Sequence, residues 1–212
     1  MFKIFKRLFD IITATLGLVL GLPLFLGIGL AIKIDSFGPI FFTQIRMGQN
    51  GQLFKIYKFR TMRHRAHLGS NQLTIQDDQR LTKIGPWLRR YKFDELPQLF
   101  NILKGEMSLV GPRPDVPAYY DLNNALHQKV LSVKPGLTCF ASIYYTLGQQ
   151  TEESILGRAS NPEKFYRQHI FPDKMAWNAR YVDQQSWWLD IKIINQTIHY
   201  LCKQIFKPQF RN

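Results

Sequence analysis

The chain has 212 residues, 45% of them hydrophobic and 14% aromatic, which is enough to bury a core as one globular unit. Lysine and arginine outnumber aspartate and glutamate by 28 to 15, and a formal charge of +13 predicts an anionic partner: nucleic acid, acidic lipid headgroups or a phosphorylated substrate. Two cysteines, Cys139 and Cys202, exclude a disulfide framework and carry no metal-ligand spacing, so reduced thiols are expected.

Residues 11–32, IITATLGLVLGLPLFLGIGLAI, contain 22 residues without a charge. As one straight helix they extend roughly 33 Å, the thickness of a bilayer's hydrocarbon core. The run exceeds the apolar stretch of about 7–15 residues in a signal peptide, and no small-residue cleavage site precedes a polar start. Pro23 interrupts the segment and predicts a bend, leaving two arms of about 15–18 Å, each the depth of one leaflet. Lys3, Lys6 and Arg7 precede the segment, while Lys33, Arg46, Lys55, Lys58 and Arg60 follow it, so the positive-inside tendency draws both ends to the cytoplasm. A re-entrant helix bent at Pro23 satisfies both ends; a kinked span is the alternative.

Residues 40–62 carry two β-rich runs around GQNG and predict a hairpin with Asn50 and Gly51 in its turn. Residues 63–80 are polar and read as a mobile loop. A helix is expected over 86–91. A second is expected from Asp94, with Leu96, Leu99, Phe100 and Leu103 on one face and Gly105 beyond its end. The stretch SLVGPRPDVP, rich in proline, is expected to be irregular. A helical pattern resumes over 118–132 and stops at Pro135-Gly136; CFASIYY then reads as a strand or an embedded surface element. Asn161-Pro162-Glu163 has the order of a helix start. Ser186 is placed to cap a last helix bearing Trp187, Trp188 and an apolar stripe, which faces either the core or, with its basic end, acidic lipid.

The acidic pair in FDELPQLFNILKGEMSLVGPRP has two readings. Aspartate is a favoured helix cap, and Glu95 beside it complements the positive helix end. Against this, Arg89, Arg90, Lys92 and Arg113 crowd the pair with cations able to hold an anion. Adjacent carboxylates suit Mg²⁺, which is held by one or two of them together with substrate phosphates. Arg113, restrained between two prolines, can present its guanidinium fork to phosphate. These residues together predict phosphoryl chemistry beside a membrane, one carboxylate acting as nucleophile and the other holding metal. The P-loop, GxGxxG and GxSxG patterns are absent from the sequence.

KFRTM, DELPQLFN, KGEMSLVGPRP and KPG, in that order and spacing, resemble the bacterial sugar transferases of the monotopic polyprenyl-phosphate phosphoglycosyl transferase family, in its small, catalytic-domain-only form. The likeness runs nearly end to end. It implies transfer of a sugar 1-phosphate from a UDP-sugar donor to a polyprenyl phosphate acceptor, releasing UMP, as the first membrane step of glycoconjugate assembly. It further implies a covalent intermediate on Asp94, Mg²⁺ held by Glu95 with Asp94, phosphate-holding roles for Lys58, Arg89 and Arg113, and a membrane helix broken at Pro23. Two positions depart from the family pattern. Leu22 stands where many members have serine, and Cys139-Phe140 stands where many have Gly-Trp, an element tied to donor preference.

The expected fold is mainly helical α+β. A re-entrant membrane helix covers 1–35, and one cytosolic catalytic unit over 36–212 carries a small β-hairpin and interfacial amphipathic helices around the active site. The expected location is the cytoplasmic face of the bacterial inner membrane, in contact with its lipid. No nucleic-acid partner is expected, and a homodimer is compatible with the sequence. The rival is a non-catalytic, membrane-anchored basic protein that binds nucleic acid or acidic lipid, which leaves two carboxylates among the arginines unexplained.

Overall fold

The structure is a computed structural model and describes residues 2–64, 73–75, 78–147 and 152–206; the expected loop over 63–80 and the basic tail lie partly outside these residues. The first element, α1 (Phe2–Asp35), is a helix of 34 residues that runs unbroken through Pro23. It is long and apolar enough to cross a membrane by length and composition. Only a narrow stripe is buried: Asp10, Ala14, Ile28, Gly29 and Ile32, at helical spacing. The other faces expose Leu16, Val19, Leu20, Leu26 and Ile34, among others.

That stripe packs along the rest of the chain at both ends. Ala14 meets Phe54, Ile56, Leu99, Ile102 and Met107, while Ile28 and Ile32 meet Phe59 and Leu88. At Gly17 a methyl group would stand 3.0 Å from Leu99 Cδ1, so glycine there allows close helix approach. Polar ties fasten the ends. Lys6 pairs with Asp190 at 2.5 Å, and Arg7 donates to the carbonyls of Ile102 (2.6 Å) and Leu103 (3.0 Å). At the other end, buried Arg60 donates to the carbonyls of Ser36 (2.7 Å) and Phe37 (2.5 Å), just past the helix.

The hairpin forms as expected. Strands β1 (Phe41–Met47) and β2 (Leu53–Phe59) pair antiparallel, and the turn holds Asn50 and Gly51 at positive φ, 55° and 75°. Next come α2 (Gly85–Arg90), a 3₁₀ turn over Phe93–Glu95, and α3 (Gln98–Lys104), which ends at Gly105 with φ 84°. Helix α3 thus starts four residues later than expected, and Asp94 does not cap it. Pro97 precedes the first helical residue, and Lys92, in the left-handed region (φ 58°), turns the chain so that Asp94 and Glu95 face inward. The buried face of α3 is Gln98, Leu99, Asn101 and Ile102, with Phe100 45% exposed; the expected stripe through Phe100 is corrected by Asn101, which turns inward to bond β2.

SLV is a strand rather than an irregular segment: β3 (Ser108–Val110) pairs in parallel with β4 (Gly136–Thr138), which supplies partners that local sequence does not reveal. Between them α4 (Ala125–Leu131) begins at the Asn124 cap, later than the pattern over 118–132 implied, because Pro117 and Asp121 direct turns before it. The run after Cys139 is helix α5 (Phe140–Leu147), not a strand. Then follow α6 (Glu152–Gly157), α7 (Pro162–Phe165) capped by Asn161, a π-helical turn, α8 (Phe171–Gln184), and α9 (Trp187–Phe206) with Ser186 accepting from Leu189 N–H at its start. The α9 stripe divides: Ile193 is fully buried, whereas Trp188 is 80% exposed. The described residues therefore make a mainly helical fold with two small sheets.

Candidate active site

Four of the expected site residues meet. Strand β2 delivers Lys58, the turn after α2 delivers Asp94 and Glu95, and the loop after β3 delivers Arg113. Glu95 sits between the two cations: Lys58 Nζ is 3.1 Å from Oε1, Arg113 Nη1 donates to Oε2 at 3.1 Å, and Arg113 Nη2 donates to Oε1. Burial by itself raises a carboxylate's pKa, but Arg113 and Lys58 outweigh it and hold Glu95 well below the usual range. Reciprocally, Glu95 raises the pKa of Arg113. Lys58 is lowered, because its burial outweighs the attraction of Glu95.

Asp94 is buried like Glu95 but lacks such partners. Its Oδ1 makes no hydrogen bond among the described residues. Burial first, then the charge of Glu95, push its pKa above the usual aspartate value, while Lys58, Lys92 and Arg89 oppose the shift. The pair is thus split by environment into a neutralised member and an under-coordinated one, a division that marks functional carboxylates.

The loop presenting Arg113 is braced from both sides. Gly111 N–H donates to Thr138 O (3.1 Å) and Gly136 N–H to Pro112 O (2.8 Å), so the loop is sewn to β4. A side chain at Gly136 would overlap the Gly111 backbone, which makes glycine obligatory at this approach. On the far side, Arg46 of β1 reaches Pro114 O (3.3 Å) and Asp115 Oδ1 (3.1 Å), and Met47 N–H donates to Asp115 O (2.9 Å). Asp115 also accepts from the Tyr166 hydroxyl, and Lys174 and Arg46 hold its carboxyl below the usual range against the opposing effect of burial.

Arg89 lines the same cavity but does not touch the acidic pair. Its Nε donates to Thr61 (3.0 Å) and its Nη1 to Glu153 (3.2 Å). Pro23 lies in α1, apart from these residues, with its side chain on the exposed face. The cavity, about 1380 Å³, is bordered by Lys58, Arg89, Asp94, Glu95, Arg113 and Asp115. Sequence reasoning missed Asn101, Arg46, Asp115 and Glu153. Asn101 carried a signal, a polar residue between the apolar positions of a short helix, whereas the others depend on contacts distant in sequence.

The fold and site set two unlike, buried carboxylates among half-buried cations, on a body that an apolar helix runs along. The chain belongs to the bacterial sugar transferase family, whose family model matches residues 1–204. It is 39% identical over 200 residues to the undecaprenyl-phosphate glucose phosphotransferase of Komagataeibacter xylinus, covering 91% of this chain and 35% of that protein. It is 36% identical over 199 residues to the UDP-glucose:undecaprenyl-phosphate glucose-1-phosphate transferase of Escherichia coli K12, covering 92% and 40%. An Aeromonas hydrophila protein named for UDP-N-acetylgalactosamine is 32% identical over 201 residues, covering 93% and 44%. The chain thus spans between 35% and 44% of the length of these relatives.

Proposed function

We propose that this chain transfers a sugar 1-phosphate from a UDP-sugar to polyprenyl phosphate through a covalent intermediate on Asp94. The observation that carries this reading is the contrast within the pair: Asp94 Oδ1 is buried and unpartnered, while Glu95 is clamped by Lys58 and Arg113. Asp94 Oδ1 attacks the β-phosphorus of the donor. The bond from that phosphorus to the bridging oxygen breaks, UMP leaves with the electron pair, and the sugar phosphate stays on the aspartate. An oxygen of the acceptor phosphate then attacks the same phosphorus, frees Asp94 and yields the polyprenyl diphosphate sugar. Lys58, Arg113 and Arg89 offset the phosphate charge, which with positioning does most of the work in phosphoryl transfer.

Mg²⁺ fits the donor set. Oε2 of Glu95 accepts only from Arg113 among the described residues, so Glu95, with the second oxygen of Asp94 beside it, would hold the ion together with donor phosphates. The ion supplies charge neutralisation at the transferred phosphate. Membrane placement follows from α1. Because both its ends are fastened to the same body, α1 suits a helix embedded from the cytoplasmic side better than a span, with its outer apolar face in lipid. The sugar named differs among the relatives, glucose or N-acetylgalactosamine, so the reading stops at a UDP-sugar.

The test is labelling with a UDP-sugar carrying radioactive β-phosphate, in the absence of acceptor. Label should remain on the protein with stoichiometric UMP release, and Asp94→Asn should abolish both. Retention of label by that variant refutes the nucleophile. A salt-sensitive affinity for DNA without UMP release from any UDP-sugar would favour the non-catalytic reading.

A further inference from the structure

The cavity at the acidic pair does not end there. It continues into a cleft between α1 and α9, where Phe9 and Thr13 of α1 face Ile194, Ile198 and Leu201 of α9. Leu109 of β3 and Leu137 of β4 line the same space, so the small parallel sheet forms its floor. This floor is joined to the charged site by covalent chain: three residues after Val110, at the end of β3, comes Arg113. Thus a charged chamber and a partly apolar channel share one wall.

The cleft is closed at one end and open to the surface beside it. Phe9 meets Trp187 edge to face at 5.2 Å, and Lys6 pairs with Asp190, tying the two helices there. Farther along α9, Thr197 is hydrogen-bonded to Thr138 of β4 at 2.6 Å, which holds α9 over the floor. Ile198 is 53% exposed and Phe9 37%, on a molecule whose exposed apolar surface is concentrated on α1.

We propose that this cleft is the seat of the first isoprene units of the acceptor lipid, entering from the bilayer and delivering its phosphate to the Arg113 end. The inference rests on the function proposed above. Three observations select this occupant: the cleft is continuous with the phosphate-holding cations, Phe9, Leu109, Leu137, Ile194, Ile198 and Leu201 give it an apolar track between polar residues such as Thr13 and Gln196, and one wall is the helix whose outer face is apolar along its length. A UDP-sugar suits the charged chamber but has no apolar tail to fill the channel. The tail beyond the cleft stays in lipid, so the bound phosphate is held at fixed depth while the remaining chain is free.

The test uses a polyprenyl phosphate carrying a photoreactive diazirine in its first isoprene units, with full-length protein in nanodiscs. Peptides labelled on irradiation are mapped by mass spectrometry. Adducts within residues 9–13 and 194–201, competed by unlabelled polyprenyl phosphate, are the expected result. Labelling confined to the outer face of α1, at Leu16, Leu20 or Leu26, overturns the proposal. In parallel, Leu201→Trp should raise the ratio of the KM for polyprenyl phosphate to the KM for UDP-sugar by roughly tenfold, the loss expected when a few buried methylenes are displaced. A ratio of KM values is insensitive to the fraction of protein folded, and an unchanged ratio overturns the proposal. Wild-type protein that releases no UMP from any UDP-sugar would defeat the functional reading separately, while the adduct map still decides the cleft.

Discussion

Asn101→Ala isolates the joint that sets Lys58 against the acidic pair. Asn101 is fully buried: its Oδ1 accepts from Tyr57 N–H at 3.1 Å, and its Nδ2 donates to Lys55 O at 2.8 Å and to Glu106 Oε2 at 2.7 Å. The amide thereby serves β2 as a neighbouring strand would, satisfying backbone groups that point away from β1. Each neutral hydrogen bond contributes about 1 kcal/mol and the one to Glu106 about 1.5–3, and the stranded backbone groups add a desolvation cost. Allowing for solvent and relaxation, the loss is about 2–4 kcal/mol, or about 5–15 °C in Tm for a chain of this size. Thermal unfolding of wild type and variant in the same nanodiscs measures it, alongside UMP release, which should fall because Lys58 is the next residue after Tyr57. A Tm within about 2 °C of wild type, with unchanged UMP release, would refute the reasoning that this amide holds β2 to α3.

Because burial and Glu95 raise the pKa of Asp94, the covalent step should fail on the acid side at a pH above the ordinary aspartate value, as the carboxylate takes up a proton. Glu95→Gln removes the like charge and leaves Lys58 and Arg113 uncompensated, so the acid limb should move to lower pH; a limb that stays or rises contradicts the coupling. On the alkaline side, the lowered pKa of Lys58 places loss of its charge below 10.5, and Lys58→Arg should carry that limb upward in a pH–rate profile. Arg113→Lys keeps the charge but not the two-pronged contact with Glu95, and turnover should drop about 10–100-fold; near wild-type turnover would show that charge alone suffices. Gly136→Ala forces a methyl group into the Gly111 backbone and should lower Tm and displace Arg113, seen as weaker donor binding in calorimetry.

Elements governed by local chemistry were legible from the sequence. The Asn50-Gly51 turn, the Gly105 stop and the caps at Asn161 and Ser186 each depend on residues within a few positions of one another. The acidic pair and its cations were also legible as a charge pattern, but the division between them was not. Asp94 looked like a cap because capping is local, whereas its burial depends on Lys92 turning the chain and on β2 lying opposite. Strand β3 escaped notice because its partner lies 28 residues away at Gly136, and a three-residue strand has no periodicity to detect. The channel floor shares that origin, so the cleft was invisible for the same reason.

The fastenings of α1 have a consequence for how the chain is made. Helix α1 precedes its partners in the chain: Arg7 finds its carbonyls about a hundred residues later, and Lys6 waits 184 residues for Asp190. Domains form as their segments leave the ribosome, so for most of synthesis this apolar helix has no body to pack on. An apolar helix of this length suits lipid in that interval, and under the proposed function the rest of the fold closes onto it there. The latch between Lys6 and Asp190 then forms late in assembly, at the closed end of the cleft between α1 and α9. Truncations released before Asp190 should bind membranes while remaining open to protease.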